Sequence, residues 1–93
     1  MTHYEIVLAN SFKRDLKAVK KQGKDLSKMQ TVVDLLTEGK SLPERCRNHM
    51  LTGEYKGYNE CHIEPDWLLI YIVENDILTL TLTRTGSHSE LFN

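Results

Sequence analysis

Five residues in the second half of this chain could do chemistry together: His49, His62, Asp66, Arg84 and His88. An imidazole exchanges protons near neutral pH because its unperturbed pKa is about 6.5. A guanidinium offers an oxyanion a fixed fork of donors and keeps its charge. Together these residues cover the needs of a metal-free phosphodiester transesterification. One group takes a proton from the attacking hydroxyl, another returns a proton to the leaving oxygen, and a cation meets the charge that builds between them. Two stretches gather the set. His62-Ile63-Glu64-Pro65-Asp66-Trp67-Leu68-Leu69-Ile70-Tyr71 places His62 and Asp66 about a turn, and Arg84-Thr85-Gly86-Ser87-His88 brings the arginine and the last histidine to a second strand end.

Singly, each residue has a plainer use. His49 sits in a loop where a surface histidine is ordinary, Asp66 is a good turn residue after Pro65, and Arg84 can pair with a carboxylate such as Glu90. Trp67 is a core anchor or, if it reaches the surface, a platform for a nucleobase. It is kept, with Phe92, as a candidate substrate contact. Cys46, His49, Cys61, His62, Asp66 and His88 are all chemically able to bind zinc. Yet Cys61 and His62 are neighbours in a strand and point to opposite faces, and the paired short spacings of a structural zinc site are missing. No metal or other cofactor is expected, and the two cysteines read as reduced thiols.

The elements that must position these residues follow from period and punctuation. Tyr4–Ala9 is a β-branched and aromatic run that reads as a strand. Ser11 is the expected N-cap of a helix over residues 12–22, where Phe12, Leu16 and Val19 share one face and Gly23 supplies the stop. Asp25 caps a second helix with Leu26, Met29, Val33 and Leu36 in one stripe, ending at Gly39. Residues 41–51 read as a loop, and residues 54–63 as an alternating strand ended by Pro65. Residues 67–73 form an apolar run typical of a central strand buried on both faces. After a reversal at 74–76, residues 77–83 alternate apolar residues with threonine, giving one buried and one wetter face. Residues 84–93 form a polar tail whose Leu91-Phe92 pair docks back on the body.

A chain of 93 residues with 27% charged residues is one domain, 1–93, of an ordinary globular protein. No run approaches the roughly 18 apolar residues of a membrane span, and no signal sequence precedes the first strand, so a cytoplasmic location is expected. The net charge of -1 hides an asymmetry: residues 1–48 carry ten Lys/Arg against six Asp/Glu, a balance of +4, and residues 49–93 carry two against seven, a balance of -5. Lys13, Lys17 and Lys20 lie on the outer arc of the first helix, either as a solvated exterior or as a phosphate-facing stripe.

The pattern His49, then His62-x3-Asp66-Trp67-Leu68-Leu69-Ile70-Tyr71, then Arg84-x-Gly86-x-His88-x2-Leu91-Phe92 resembles the YafQ branch of the RelE superfamily of bacterial type II toxins. The Leu51-x-Gly53-x2-Lys56-Gly57-Tyr58 approach to the second strand belongs to the same resemblance. It implies an α+β, microbial-RNase-like fold in the order β-α-α-β-β-β, with a helical hairpin packed on one face of a twisted antiparallel sheet. It further implies a ribosome-dependent endoribonuclease that cuts mRNA and is silenced by a cognate antitoxin, the complex binding operator DNA through that antitoxin. Carried over by position as catalytic residues, His88 and Asp66 take the proton transfers, Arg84 the phosphorane charge, and His49 and His62 position the substrate, with proton roles also open to them. Toxins of the family are usually clearly basic, so in this near-neutral chain the lysines of the first helix would supply the ribosomal RNA contact. Two other readings stay open: a ParE-like inhibitor without catalysis, and an RNA-binding module on the same fold.

Overall fold

The computed structural model describes residues 3–92. A five-stranded sheet runs in the spatial order β1-β5-β4-β3-β2. Its strands are β1 (Glu5–Leu8), β2 (His49–Met50), β3 (Asn59–Glu64), β4 (Trp67–Glu74) and β5 (Thr79–Gly86). Helices α1 (Asn10–Lys21) and α2 (Leu26–Thr37) follow β1, and a short α3 (His88–Phe92) follows β5. The α+β class and the helical hairpin on one face agree with the sequence reading, and β3, β4 and β5 form the expected antiparallel meander. The sheet as a whole is mixed, not antiparallel, because β1 joins β5 in parallel, Ile6 opposite Leu80 and Leu8 opposite Leu82. The loop after α2 also adds the edge strand β2, with His49 opposite Glu60.

β4 is apolar without alternation because both of its faces are covered. Trp67, Leu69 and Tyr71 pack with Phe12, Val19, Met29, Val32, Val33 and Leu36 from the helices. Leu68 and Ile70 face the other way and pack with Leu91, Leu51, Tyr55 and Tyr58 in a smaller cluster. The face opposite the helices is therefore partly roofed by the loop before β3 and by α3.

Several local expectations change. Asp25 caps α2, accepting from the Ser27 amide at 3.0 Å. Ser11, however, lies inside α1, and its hydroxyl donates to the Thr83 carbonyl at 2.7 Å. The strand expected from residue 54 begins at Asn59, since Gly53–Tyr55 makes a 3-10 turn entered through Gly53 at φ 68°. β5 begins at Thr79 because Leu78 sits in the left-handed region at φ 49°, where a strand cannot continue. The tail closes as α3 through a reciprocal cap: the Ser87 amide donates to Glu90 Oε1 at 2.8 Å, and the Glu90 amide donates to Ser87 Oγ at 3.2 Å. That hydrogen bonding to Ser87 holds the Glu90 carboxyl below its usual pKa.

Candidate active site

The site forms on the sheet face away from the α1–α2 hairpin. On β3, Glu60 and His62 lie two residues apart and share a face, opposite Ile70 and Leu68 of the smaller cluster. β2 adds His49 directly opposite Glu60. Glu60 is 5% exposed, and its Oε1 lies 3.4 Å from His49 Nε2 and 3.6 Å from His62 Nε2. The other ring nitrogen of each histidine meets a carbonyl, His49 Nδ1 with Arg47 at 2.6 Å and His62 Nδ1 with Pro65 at 3.2 Å. A carbonyl oxygen only accepts, so both Nδ1 atoms carry hydrogen and both Nε2 atoms are left to take or give a proton. One buried carboxylate thus faces two proton-exchanging nitrogens. The loop before His49 is fixed from the core by the Tyr71 hydroxyl, which donates to Asn48 Oδ1 at 2.5 Å.

Arg84 reaches this face through a register shift. Leu80 and Leu82 point into the hairpin core, and strict alternation would send Arg84 after them. An extra residue, Thr83, separates the Leu82–Tyr71 pair from the Arg84–Ile70 pair, and this bulge turns Arg84 to the side of Ile70. The guanidinium pairs with Asp15 of α1, Nε to Oδ2 at 2.5 Å and Nη2 to Oδ1 at 3.3 Å. Asp15 Oδ2 also accepts from the Thr85 amide at 3.1 Å. β1 pairs with β5 only as far as Leu82, so beyond it Ser11 and Asp15, one helical turn apart, satisfy the open edge of β5. The Asp15 carboxylate first, with Tyr55 adding to it, holds the Arg84 side chain above its already high ordinary pKa and so permanently charged. The carboxylate partner expected for Arg84, Glu90, instead caps α3.

α3 brings the last two candidates. Asp66 Oδ1 accepts from the His88 amide at 3.0 Å, so the β3–β4 turn anchors the start of this helix. The exposed His88 ring lies against Phe92, centroids 4.9 Å apart, and Phe92 meets Tyr55 edge-on at 5.9 Å. Gly86 allows this close seat for α3, since a Cβ there would lie 3.1 Å from Glu90 Oε1 and 3.4 Å from Leu91 Cδ2.

Of the residues expected from sequence, His49, His62 and Arg84 share the sheet face, and Asp66, His88 and Phe92 meet at its α3 end. Trp67 is a correction. It is fully buried among the helices, its indole donates to Thr85 Oγ1 at 2.9 Å, and Lys24 Nζ stands 5.6 Å from its ring centroid, so no surface remains for substrate. Lys13, Lys17 and Lys20 are exposed on α1. Glu60, Asp15 and Tyr55 are the site residues the sequence reading missed. Glu60 was within reach, two residues before His62 in an alternating strand, whereas Asp15 lies 69 positions from its partner. Cys61 is fully buried, and that burial pushes its thiol up to about 12, which keeps it neutral in the folded chain. Among the described residues, no group of three or more His, Cys, Asp and Glu side chains is placed to hold a metal ion.

The family model for the bacterial toxin of the type II toxin–antitoxin system, YafQ, matches residues 4–93. The chain belongs to the YafQ family. The YafQ relative from Escherichia coli K12, an mRNA interferase toxin, is 36% identical over 93 residues, 99% of each chain. A YafQ-like chain in the E. coli DinJ–YafQ toxin–antitoxin complex superposes with a TM-score of 0.89 at 35% identity, covering 98% of this chain and 99% of that one. A metal-bound toxin from Helicobacter pylori is 40% identical with a TM-score of 0.90, covering 96% and 99%. Among the described residues of this YafQ-family chain, no helix is long and apolar enough to cross a membrane.

Proposed function

We propose that this chain is the toxin of a type II pair and an endoribonuclease that cleaves mRNA on the ribosome without a metal ion, neutralised by a cognate antitoxin. The observation that carries this reading is the sheet face on which two imidazole Nε2 atoms flank Glu60 and to whose side a bulge turns the charged Arg84, seated on Asp15 at the β5 edge. The 2'-hydroxyl of one nucleotide attacks the phosphodiester on its 3' side and loses its proton, and the 5' oxygen of the next nucleotide leaves and gains one. The product end is a 2',3'-cyclic phosphate. His88 and Asp66 carry the proton transfers, Arg84 meets the phosphorane charge, and His49 and His62 hold the strand and can exchange a proton through Nε2. Phe92, tilted against His88 and met edge-on by Tyr55, offers an exposed aromatic surface to a base. The antitoxin is the part of the complex that binds operator DNA, and the lysines of α1 face ribosomal RNA.

The test is cleavage of mRNA by purified protein, stripped with EDTA and desalted beforehand, with and without ribosomes, with product ends identified and His88→Ala alongside. Ribosome-stimulated cutting that survives EDTA and leaves a cyclic or 3'-phosphate is expected. The His88→Ala variant is expected to lose cleavage and keep its circular dichroism spectrum, because the ring is exposed while its amide still donates to Asp66. Cutting lost after EDTA would restore a metal to the mechanism, which the metal-bound relative makes worth checking. No cutting at all would favour the ParE-like inhibitor.

A further inference from the structure

Beside His62, on the side away from Arg84, a cleft of about 410 Å³ is lined by Arg45, Arg47, His62, Ile63, Glu64 and Pro65. Neither guanidinium has a carboxylate partner among the described residues, whereas the one acid in the lining, Glu64, is paired with Lys28 at 2.7 Å. Ile63 and Pro65 give the cleft an apolar floor. Arg45 and Arg47 lie on the 3-10 turn Glu44–Cys46 and its end, where Arg47 adopts φ 46°, a left-handed conformation uncommon outside glycine. That conformation is held in place by the site itself, since His49 Nδ1 donates to the Arg47 carbonyl. Past Arg45, an adjoining hollow reaches Lys28 and Thr31 of α2, so the groove continues along the arginine side of the cleft.

We propose that this cleft is a nucleotide subsite, taking the phosphate and base of single-stranded RNA next to the scissile bond. The inference rests on the ribonuclease reading and adds to it the path of the strand. The guanidinium pair binds the phosphate through charge-assisted hydrogen bonds, and a flat guanidinium with an apolar floor accepts any base face. Continuity through His62 favours RNA over a peptide, because the same imidazole belongs to the cleft and to the histidine–Glu60 group. An acidic segment of a protein partner is the competing occupant.

The experiment is fluorescence anisotropy with a labelled, fully 2'-O-methylated single-stranded RNA oligomer, which cannot be cleaved, against wild type and the Arg45→Gln/Arg47→Gln double variant. Both positions are exposed, so the variant folds. Each phosphate neutralised on a single strand contributes about 0.7 to the slope of log K against log salt, so the one phosphate held by the pair makes wild type lose about 2.6-fold more affinity than the variant between about 50 mM and about 200 mM NaCl. Weaker binding with this flatter salt dependence supports the subsite. Equal affinity and slope, or no binding of the oligomer by a wild type that cuts mRNA on ribosomes, overturns the subsite and leaves the ribonuclease reading standing. A variant that binds the oligomer like wild type but loses affinity for the cognate antitoxin also overturns it, assigning the cleft to protein. A wild type that cuts no RNA even on ribosomes removes the underlying reading and the subsite with it.

Discussion

Replacing Asp15 by asparagine tests how Arg84, the cation proposed to meet the phosphorane charge, is held. The carboxylate serves three donors, Arg84 Nε, Arg84 Nη2 and the Thr85 amide, and both side chains are largely withdrawn from water, Arg84 at 27% and Asp15 at 17% exposure. Asparagine fits the space but keeps a single acceptor oxygen and turns an amide NH2 toward a guanidinium or an N–H. Hydrogen bonds to charged groups contribute about 1.5–3 kcal/mol each, and part of that loss is recovered by hydration at a half-buried site, so a net destabilisation of about 2 kcal/mol is expected. For a domain of this size each kcal/mol lowers the midpoint by roughly 4–8 °C, which puts the expected fall near 10 °C. Thermal unfolding followed by circular dichroism measures it. A double-mutant cycle with Arg84→Gln then separates the pair from its surroundings, and a coupling of about 1–2 kcal/mol is expected, against additivity within roughly 0.5 kcal/mol for independent residues. Cleavage by Asp15→Asn should fall by about one to two orders of magnitude, because a loosened donor no longer meets the developing charge in place. Additive effects together with unchanged cleavage would refute the claim that Asp15 seats Arg84.

Other outcomes follow from the same geometry. Glu60→Gln keeps the shape beneath the histidines but removes the charge both imidazoles face, so cleavage should fall about tenfold or more, read in the same ribosome assay. Leu91→Ala should cost about 2–4 kcal/mol in urea unfolding and also lower cleavage, since Leu91 docks α3 on Leu68 and Ile70 and α3 carries His88 and Phe92. The Cys61 thiol, neutral in the folded protein up to about pH 12, should resist iodoacetamide at pH 8 and react on unfolding in urea. Because its folded value lies above the ordinary 9.0, its stabilising contribution is intact below pH 9 and lost as pH rises toward 12, with a slope of at most about 1.4 kcal/mol per pH unit. Tyr71, also raised by burial, acts with the same sign above pH 10, and an alkaline stability profile flat through this range would contradict both.

Patterns carried within a few residues were legible in the chain. The Asp25 cap, the doubly buried β4 and the opposed faces of Cys61 and His62 are all local consequences of propensity and period, and each appears in the fold. The Ser87-x2-Glu90 capping box was equally local and would have turned the tail into a helix had it been read as such. What escaped depends on chain segments far apart. Ser11 looked like a cap because its type and place suited one, but β5 supplied the carbonyl that drew it away. The parallel partner of β1 has no local signature. The bulge at Thr83 has none either, and alternation alone would have buried Arg84 among the leucines. The histidines, Asp66 and Arg84 could be named from residue type and a family resemblance, while the carboxylates that hold them could not, since a buried Glu60 and a helical Asp15 look in sequence like any other acid.

The partnership of β1 with β5 also orders events in time. Helices α1 and α2 and the β3–β4 hairpin need only near neighbours, whereas Glu5 meets Thr79, and Asp15 meets Arg84, across most of the chain. Closing loops of that length comes late in folding because its entropy must be met before the contacts repay it. A chain growing from its N-terminus therefore carries β1 unpaired and Asp15 without a cation until β5 has been made. Up to that moment it has His49 and His62 on β2 and β3 but neither a seated Arg84 nor His88, which follows β5 in the chain.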